Sequence, residues 1–154
     1  MKYREKIPLR PYRVIKTYGN ETGHSCAFRQ WRADSHCNLI HGYALGFEIT
    51  FEAERLNEQN WVIDFGDLGV LKQYLKETFD HTCIVAIDDP LMVSFVEMGQ
   101  QNLINLKVMD NVGCEAFAEA VYDFCYEKFS SVRVNIKSVK VFEHGSNSAV
   151  FGDF

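Results

Sequence analysis

Three short stretches of the chain set acid, base or nucleophile side chains at close spacing. The first is Cys37-Asn38-Leu39-Ile40-His41, a thiol and an imidazole at the end of the polar segment Asp34–Asn38. A cysteine acts as base or nucleophile through its thiolate, which nearby cations favour; Arg32, His36 and His41 are the neighbours able to carry positive charge. The second is Asp80-His81, where a carboxylate can hold an imidazole in one tautomer and so make it a base. The third is Glu143, which closes the apolar run Val139–Phe142. A carboxylate there can accept two hydrogen bonds from a guanidine-like edge such as an amino-pyrimidine. Glu115, at the start of a predicted helix, is a further carboxylate. Each has an ordinary explanation as well. A His at a helix end caps the last carbonyls, and an acid suits a first helical turn. Their order along the chain therefore carries more information than any one of them.

The elements that must position these groups follow from periodicity. Pro8 and Pro11 predict an extended start, and the domain reading is a basic N-terminal arm, 1–23, ahead of a single domain, 24–154. His24–Arg32 alternates with period two and predicts a strand ending near Ala33. Leu39–Phe51, rich in β-branched and aromatic residues, predicts a long strand. Leu68, Leu71, Leu75 and Phe79 recur at helical spacing and predict a helix over 67–78, with Asp64 or Asp67 as its cap and Asp80-His81 at its end. Cys114–Phe129 predicts a second helix with Phe117, Ala120, Val121, Phe124 and Cys125 inward. Val132–Phe142 and Ala149–Phe151 predict the last strands. The stretch 82–112 is a long connector, with a short helix over 90–98 and an added strand over 103–109, long enough to serve as a lid over the site or as extra packing between subunits. Strand, strand, helix, helix, strand, strand is an α+β pattern, not the alternation of a doubly wound sheet.

Composition narrows the class. The 154 residues are 47% hydrophobic and 14% aromatic, enough to fill one core. No run approaches the ~18 apolar residues of a membrane span. The charged start lacks the apolar segment of a secretory signal, so the expected location is the cytoplasm. Five cysteines, none in CxxC spacing, argue against a disulfide framework and against a cysteine-only zinc site. Residues 1–20 carry six Lys/Arg and one acid within a chain of net charge −5. With no aromatic-basic motif beside that arm, nucleic acid is not the expected partner.

Taken together, CNLIHGY, WVIDFGDL, FDHT, GCEAFAEAVYDF and VKVFEHGSNSAVF resemble the 6-pyruvoyltetrahydropterin and 6-carboxytetrahydropterin synthase family across residues 24–151. The resemblance implies the tunnelling fold, an antiparallel β-sheet backed by two helices. It also implies a homo-oligomer, a trimer or a stacked pair of trimers, that joins the sheets into a barrel with sites between subunits. Its substrate would be 7,8-dihydroneopterin triphosphate. Cys37 would be the proton-abstracting base, Asp80 and His81 the relay, Glu143 the anchor of the pterin edge, and Glu115 a group at a helix start near the ligand. The short Cys-to-His spacing fits a lyase of the 6-carboxytetrahydropterin synthase type, on the way to 7-deazaguanine (queuosine-type) bases. The alternatives are a 6-pyruvoyltetrahydropterin synthase, a zinc-independent variant acting on a related pterin or purine, and a non-catalytic pterin-binding protein.

The metal site departs from the family. The resemblance implies three His ligands for zinc, one ending the first strand and two in a His-Gly-His. Here those positions read Arg32, His41 and Tyr43, so only His41 is retained. A catalytic zinc needs about three protein ligands, and Arg32 stays protonated. His24 is too far back along the strand to join, and His36 would still leave a ligand missing. The expectation is a zinc-free site in which Arg32 holds side-chain oxygens or the triphosphate and Tyr43 donates a hydrogen bond.

Overall fold

The structure, a computed structural model, describes residues 10–153. The start of the expected arm, including Pro8, lies outside the described residues. Seven strands and three helices follow: β1 (Tyr12–Tyr18), β2 (His24–Phe28), β3 (His41–Ala53), α1 (Gly69–Phe79), β4 (Thr82–Ala86), α2 (Met92–Gln100), β5 (Leu106–Met109), α3 (Cys114–Phe129), β6 (Asn135–His144) and β7 (Asn147–Gly152). The strands form one sheet in the order β5-β4-β2-β3-β6-β7, with β1 also paired to β3.

β3 is the spine. Its first half, His41–Leu45, pairs antiparallel with β2, and its second half, Phe47–Ala53, with β1. β6 runs antiparallel to it over Gly46–Glu52. Leu45, Phe47, Ile49, Phe51 and Ala53 alternate onto one face and are buried there. That face is covered by α1 and α3, as the two apolar stripes require. Leu71, Leu75 and Phe79 of α1 and Phe117, Val121 and Cys125 of α3 are fully buried. The helices meet through Tyr74 and Phe124, whose rings stack at 3.9 Å. Phe79 lies within 5.3 Å of both Phe47 and Phe117. Burying each such ring contributes about 1.5–3 kcal/mol.

The start of the chain differs from the sequence reading, and the connector contains its expected helix and added strand, α2 and β5, together with a strand, β4, that the sequence reading lacks. Tyr12–Tyr18 is a strand, so part of the expected arm belongs to the sheet. The connector joins the sheet. Its ends form β4 and β5, parallel to β2 and to each other, joined by α2. All five residues of β4 are buried. Ile84 and Ala86 face the main core, while Cys83 and Val85 face Phe95 of α2. Burial on both faces suits the apolar residues Cys83–Ala86. The antiparallel part expected from the sequence is thus extended at one edge by a parallel unit.

Candidate active site

Cys37, His41, Tyr43 and Glu143 are brought together at one end of β2, β3 and β6. β2 stops at Phe28, and residues 29–40 form a loop carrying a single 3-10 turn, His36–Asn38. Ser35 caps that turn by accepting from the Cys37 amide at 3.3 Å. The Cys37 carbonyl accepts from the Gln30 amide at 2.9 Å. The loop is therefore closed on itself, with Cys37 half-buried while the other four cysteines are buried. The chain re-enters the sheet at His41-Gly42-Tyr43. Gly42 is required there, because a Cβ would lie 2.3 Å from the Cys26 carbonyl.

Tyr43 is the hub. Its ring is 5.7 Å from His41, 6.1 Å from Phe28 and 6.0 Å from His144. Burial, and then the nearby Glu143 carboxylate, push its phenol upward. The hydroxyl therefore stays protonated and able to donate. The same set acts on Cys114, at the first turn of α3. Burial first, then the carboxylates Glu143 and Glu115, raise its thiol to about 12. Cys114 is thus a neutral S–H facing the Glu143 carboxylate. Glu115 occupies the same helical turn, preceded by Gly113 at φ 123°. A Cβ on Gly113 would lie 2.1 Å from Gln30 Nε2, which donates to the Val112 carbonyl at 2.8 Å. The turn entering α3 is thereby packed against the start of the thiol loop.

Glu143 is aimed by a register shift between Phe142 and His144, where β6 bulges against β7. Bulges re-aim side chains at the cost of unpaired backbone groups. Asn20 compensates: its Nδ2 donates to the carbonyls of Ala44 at 2.6 Å and of Phe142 and Glu143 at 3.3 Å. Gly46 leaves space for it, since a Cβ there would lie 3.1 Å from the Asn20 amide nitrogen.

Asp80 and His81 lie elsewhere. Thr82 pairs with Cys26, so the dyad sits beside the start of β2, where the Ser25 amide donates to Asp80 Oδ1 at 3.4 Å. His81 Nδ1 is 2.7 Å from the same oxygen. That bond, more than the Ser25 contact, holds the Asp80 carboxyl below its usual range. His81 adopts φ 55° and its side chain is 86% exposed. It bonds Asp80 and not the last helical carbonyls. Behind the dyad is His24, buried and kept neutral by burial, its Nδ1 without a partner. Ser25 and the loop after Phe28 are separated by about 10 Å along β2, at ~3.3 Å per residue. One chain therefore presents Cys37 and the Asp80–His81 pair at opposite ends of the same strand.

Arg32 does not join the cluster. β2 ends four residues before it, and its guanidinium bonds Asp88 at 2.8 Å and stacks over Trp31 at 4.0 Å. The residue ending that strand is Phe28, whose ring packs 5.2 Å from His41. His41 Nδ1 lies 2.7 Å from the Leu39 carbonyl, which leaves Nε2 as the free nitrogen. Phenyl, phenol and one imidazole do not make the donor set of a three-ligand zinc. Among the described residues no three His, Cys, Asp or Glu side chains are grouped to hold a metal ion. Cys114, Asn20, Gln30 and His144 were not singled out from the sequence. The Gly113-Cys114-Glu115 triplet at a helix start was the signal available for Cys114.

A family model described as 6-pyruvoyl tetrahydropterin synthase matches residues 19–153. The chain is similar to the 6-carboxy-5,6,7,8-tetrahydropterin synthase of Aquifex aeolicus, 25% identical over 146 residues that cover 84% of this chain and 90% of the relative. The enzyme of that description from Rickettsia conorii is 32% identical over 114 residues, covering 70% and 78%. Among solved structures, an uncharacterised protein of Wolinella succinogenes superposes with a TM-score of 0.82 at 18% identity, covering 94% of this chain and 99% of the other. The 6-pyruvoyl tetrahydropterin synthase of Plasmodium vivax gives 0.64 at 13% identity, covering 92% and 97%. At these identities the superpositions speak for the fold.

Proposed function

The chain belongs to the 6-pyruvoyl tetrahydropterin synthase family, and from that footing we propose that it is a lyase of the 6-carboxytetrahydropterin synthase type acting on 7,8-dihydroneopterin triphosphate. Such a product feeds the route to 7-deazaguanine bases. The observation that carries the reading is the convergence of Cys37, Tyr43, Glu143 and Cys114 on one half-buried cluster. The names of the Aquifex and Rickettsia relatives favour the 6-carboxy branch.

In this reading Glu143 accepts two hydrogen bonds from the amino-pyrimidine edge of the pterin, with the neutral Cys114 thiol steadying its carboxylate. Cys37 takes the proton from the substrate side chain. Tyr43, held protonated by its surroundings, donates to a side-chain oxygen where negative charge develops. Asp80 fixes the His81 tautomer, and His81 carries the proton onward. A complete site takes this dyad from a second copy of the chain, since each copy holds it at the far end of β2 from its own thiol. No step is routed through zinc: with Phe28 and Tyr43 beside His41, hydrogen-bond donors stand in for a Lewis acid. The protein acts in the cytoplasm.

Incubation with 7,8-dihydroneopterin triphosphate, with and without chelator, tests this directly. The expected result is 6-carboxytetrahydropterin formed in both arms and lost in Cys37→Ala. One tightly held zinc per chain in protein purified without added metal would overturn the zinc-free part. Pterin binding without turnover at any metal level would make the protein a binding module instead.

A further inference from the structure

The connector reaches the thiol loop through two adjacent aspartates, and they are not equivalent. Asp88 accepts from Trp31 Nε1 at 3.1 Å and from Arg32 at 2.8 Å, but this pair is exposed, at 72% for Arg32 and 49% for Asp88. Exposed pairs of this kind hold little. Asp89 is different. Its side chain is 1% exposed and receives a two-pronged bond from Arg29, Nε to Oδ2 at 2.8 Å and Nη2 to Oδ1 at 2.9 Å. The remaining prong of Arg29, Nη1, donates to Asn38 Oδ1 at 3.0 Å and to the Asn38 carbonyl at 3.3 Å. Asn38 is the residue after Cys37. Asp89 is itself fixed, because its Oδ1 also accepts from the Leu91 amide at 2.8 Å ahead of α2.

We propose that Arg29 is a positioning residue for Cys37, a clamp that ties the thiol turn through Asn38 to the buried Asp89 of the β4–α2 segment. The role of Cys37 rests on the function proposed above; the clamp itself rests on these bonds. A planar guanidinium is suited to it, since the fork that grips Asp89 leaves the third nitrogen aimed at Asn38. Lysine would keep the charge and lose the simultaneous grip. Without the clamp, the 3-10 turn keeps only bonds local to the loop: the Ser35 cap, the Gln30–Cys37 bond and the turn's own Asn38–Ser35 and Leu39–His36 backbone bonds. The parallel unit is, on this view, the anchor that keeps the thiol in register with Tyr43.

The test reads the thiol directly. Cys37 is the one cysteine among the five that is not buried, so iodoacetamide labelling of the folded protein, followed by peptide mass analysis, reports on it selectively. In Arg29→Lys and in the milder Asn38→Ala, labelling of Cys37 is expected to speed up several-fold well below the melting temperature. In the turnover assay kcat is expected to fall by about ten- to a hundredfold, as for a misplaced reacting group, with KM little changed. A merely structural ion pair would lower the melting temperature and leave Cys37 labelling as in the parent, and that result overturns the proposal. Should Arg29→Lys fail to fold, Asn38→Ala decides, because it leaves the Arg29–Asp89 pair in place. Labelling needs no substrate, so the clamp stands or falls separately from the proposed reaction.

Discussion

At the scale of single residues, His81 shows how a strained position points to use. It is the first residue beyond the C-cap of α1 and adopts φ 55°, where glycine is the usual choice. A non-glycine residue there costs about 1–2 kcal/mol. Its ring makes no bond that repays this by holding the helix; it bonds Asp80 and otherwise faces solvent. His81→Gly is therefore expected to leave the melting temperature unchanged or higher while abolishing turnover. A thermal melt paired with the product assay checks it, and a lower melting temperature would make His81 structural. The neighbouring Asp80 and the hub residue Tyr43 could be named from the sequence because their types and order were informative. Cys114 was legible only through its place at a helix start, because a cysteine opening an apolar helix reads as core until Glu143 is found opposite it.

At the scale of elements, the site depends on irregularities. The shift in β6 at Phe142–His144 and the gap bridged by Asn20 together set the direction of Glu143. A second shift, where Phe51 pairs with Ile136 and Thr50 with Ser138, explains why Ile136, Val139 and Val141 are all buried despite their uneven spacing. Asn20→Ala leaves up to three carbonyls without their donor. It is expected to cost about 1–3 kcal/mol of stability and to weaken pterin binding more than it slows catalysis. Denaturant midpoints and a KM-against-kcat comparison would show this; equal loss in both kinetic constants would place Asn20 outside the binding function. Alternation and helical spacing placed most elements well, α3 to the residue. They placed the end of β2 too late, because Arg29, Gln30 and Trp31 continue an alternating pattern that their hydrogen bonds pull out of the sheet.

For the whole molecule, the decisive fact is that Cys37 and the Asp80–His81 pair lie at opposite ends of β2. In addition, β5 and β7 are the ends of the sheet order, and each pairs with one strand only. Unpaired edges are stable when another chain covers them. If sites are shared between copies, a mixture of Cys37→Ala and His81→Ala chains, unfolded and refolded together, is expected to regain part of the activity that neither has alone. Absence of any recovery, with mixed oligomers verified by mass, would mean that each chain works by itself.

Sequence alone determined the α+β class and the two helices that cover β3, and it offered Cys37, Asp80-His81 and Glu143 as candidates by type, their roles being implied only by the family resemblance. It could do so because apolar periodicity and side-chain chemistry are local properties. Only the tertiary structure decided that the connector is a parallel unit built into the sheet, that Phe28 and not Arg32 ends β2, and that Arg29 bonds Asp89 and Asn38 while Asn20 bonds the carbonyls beside Glu143. Those outcomes depend on strand order, register and hydrogen bonds between residues far apart in the chain, such as Arg29 with Asp89 and Asn20 with Glu143. No local pattern encodes such pairings, because many registers bury the same apolar faces and differ only in which polar groups they satisfy.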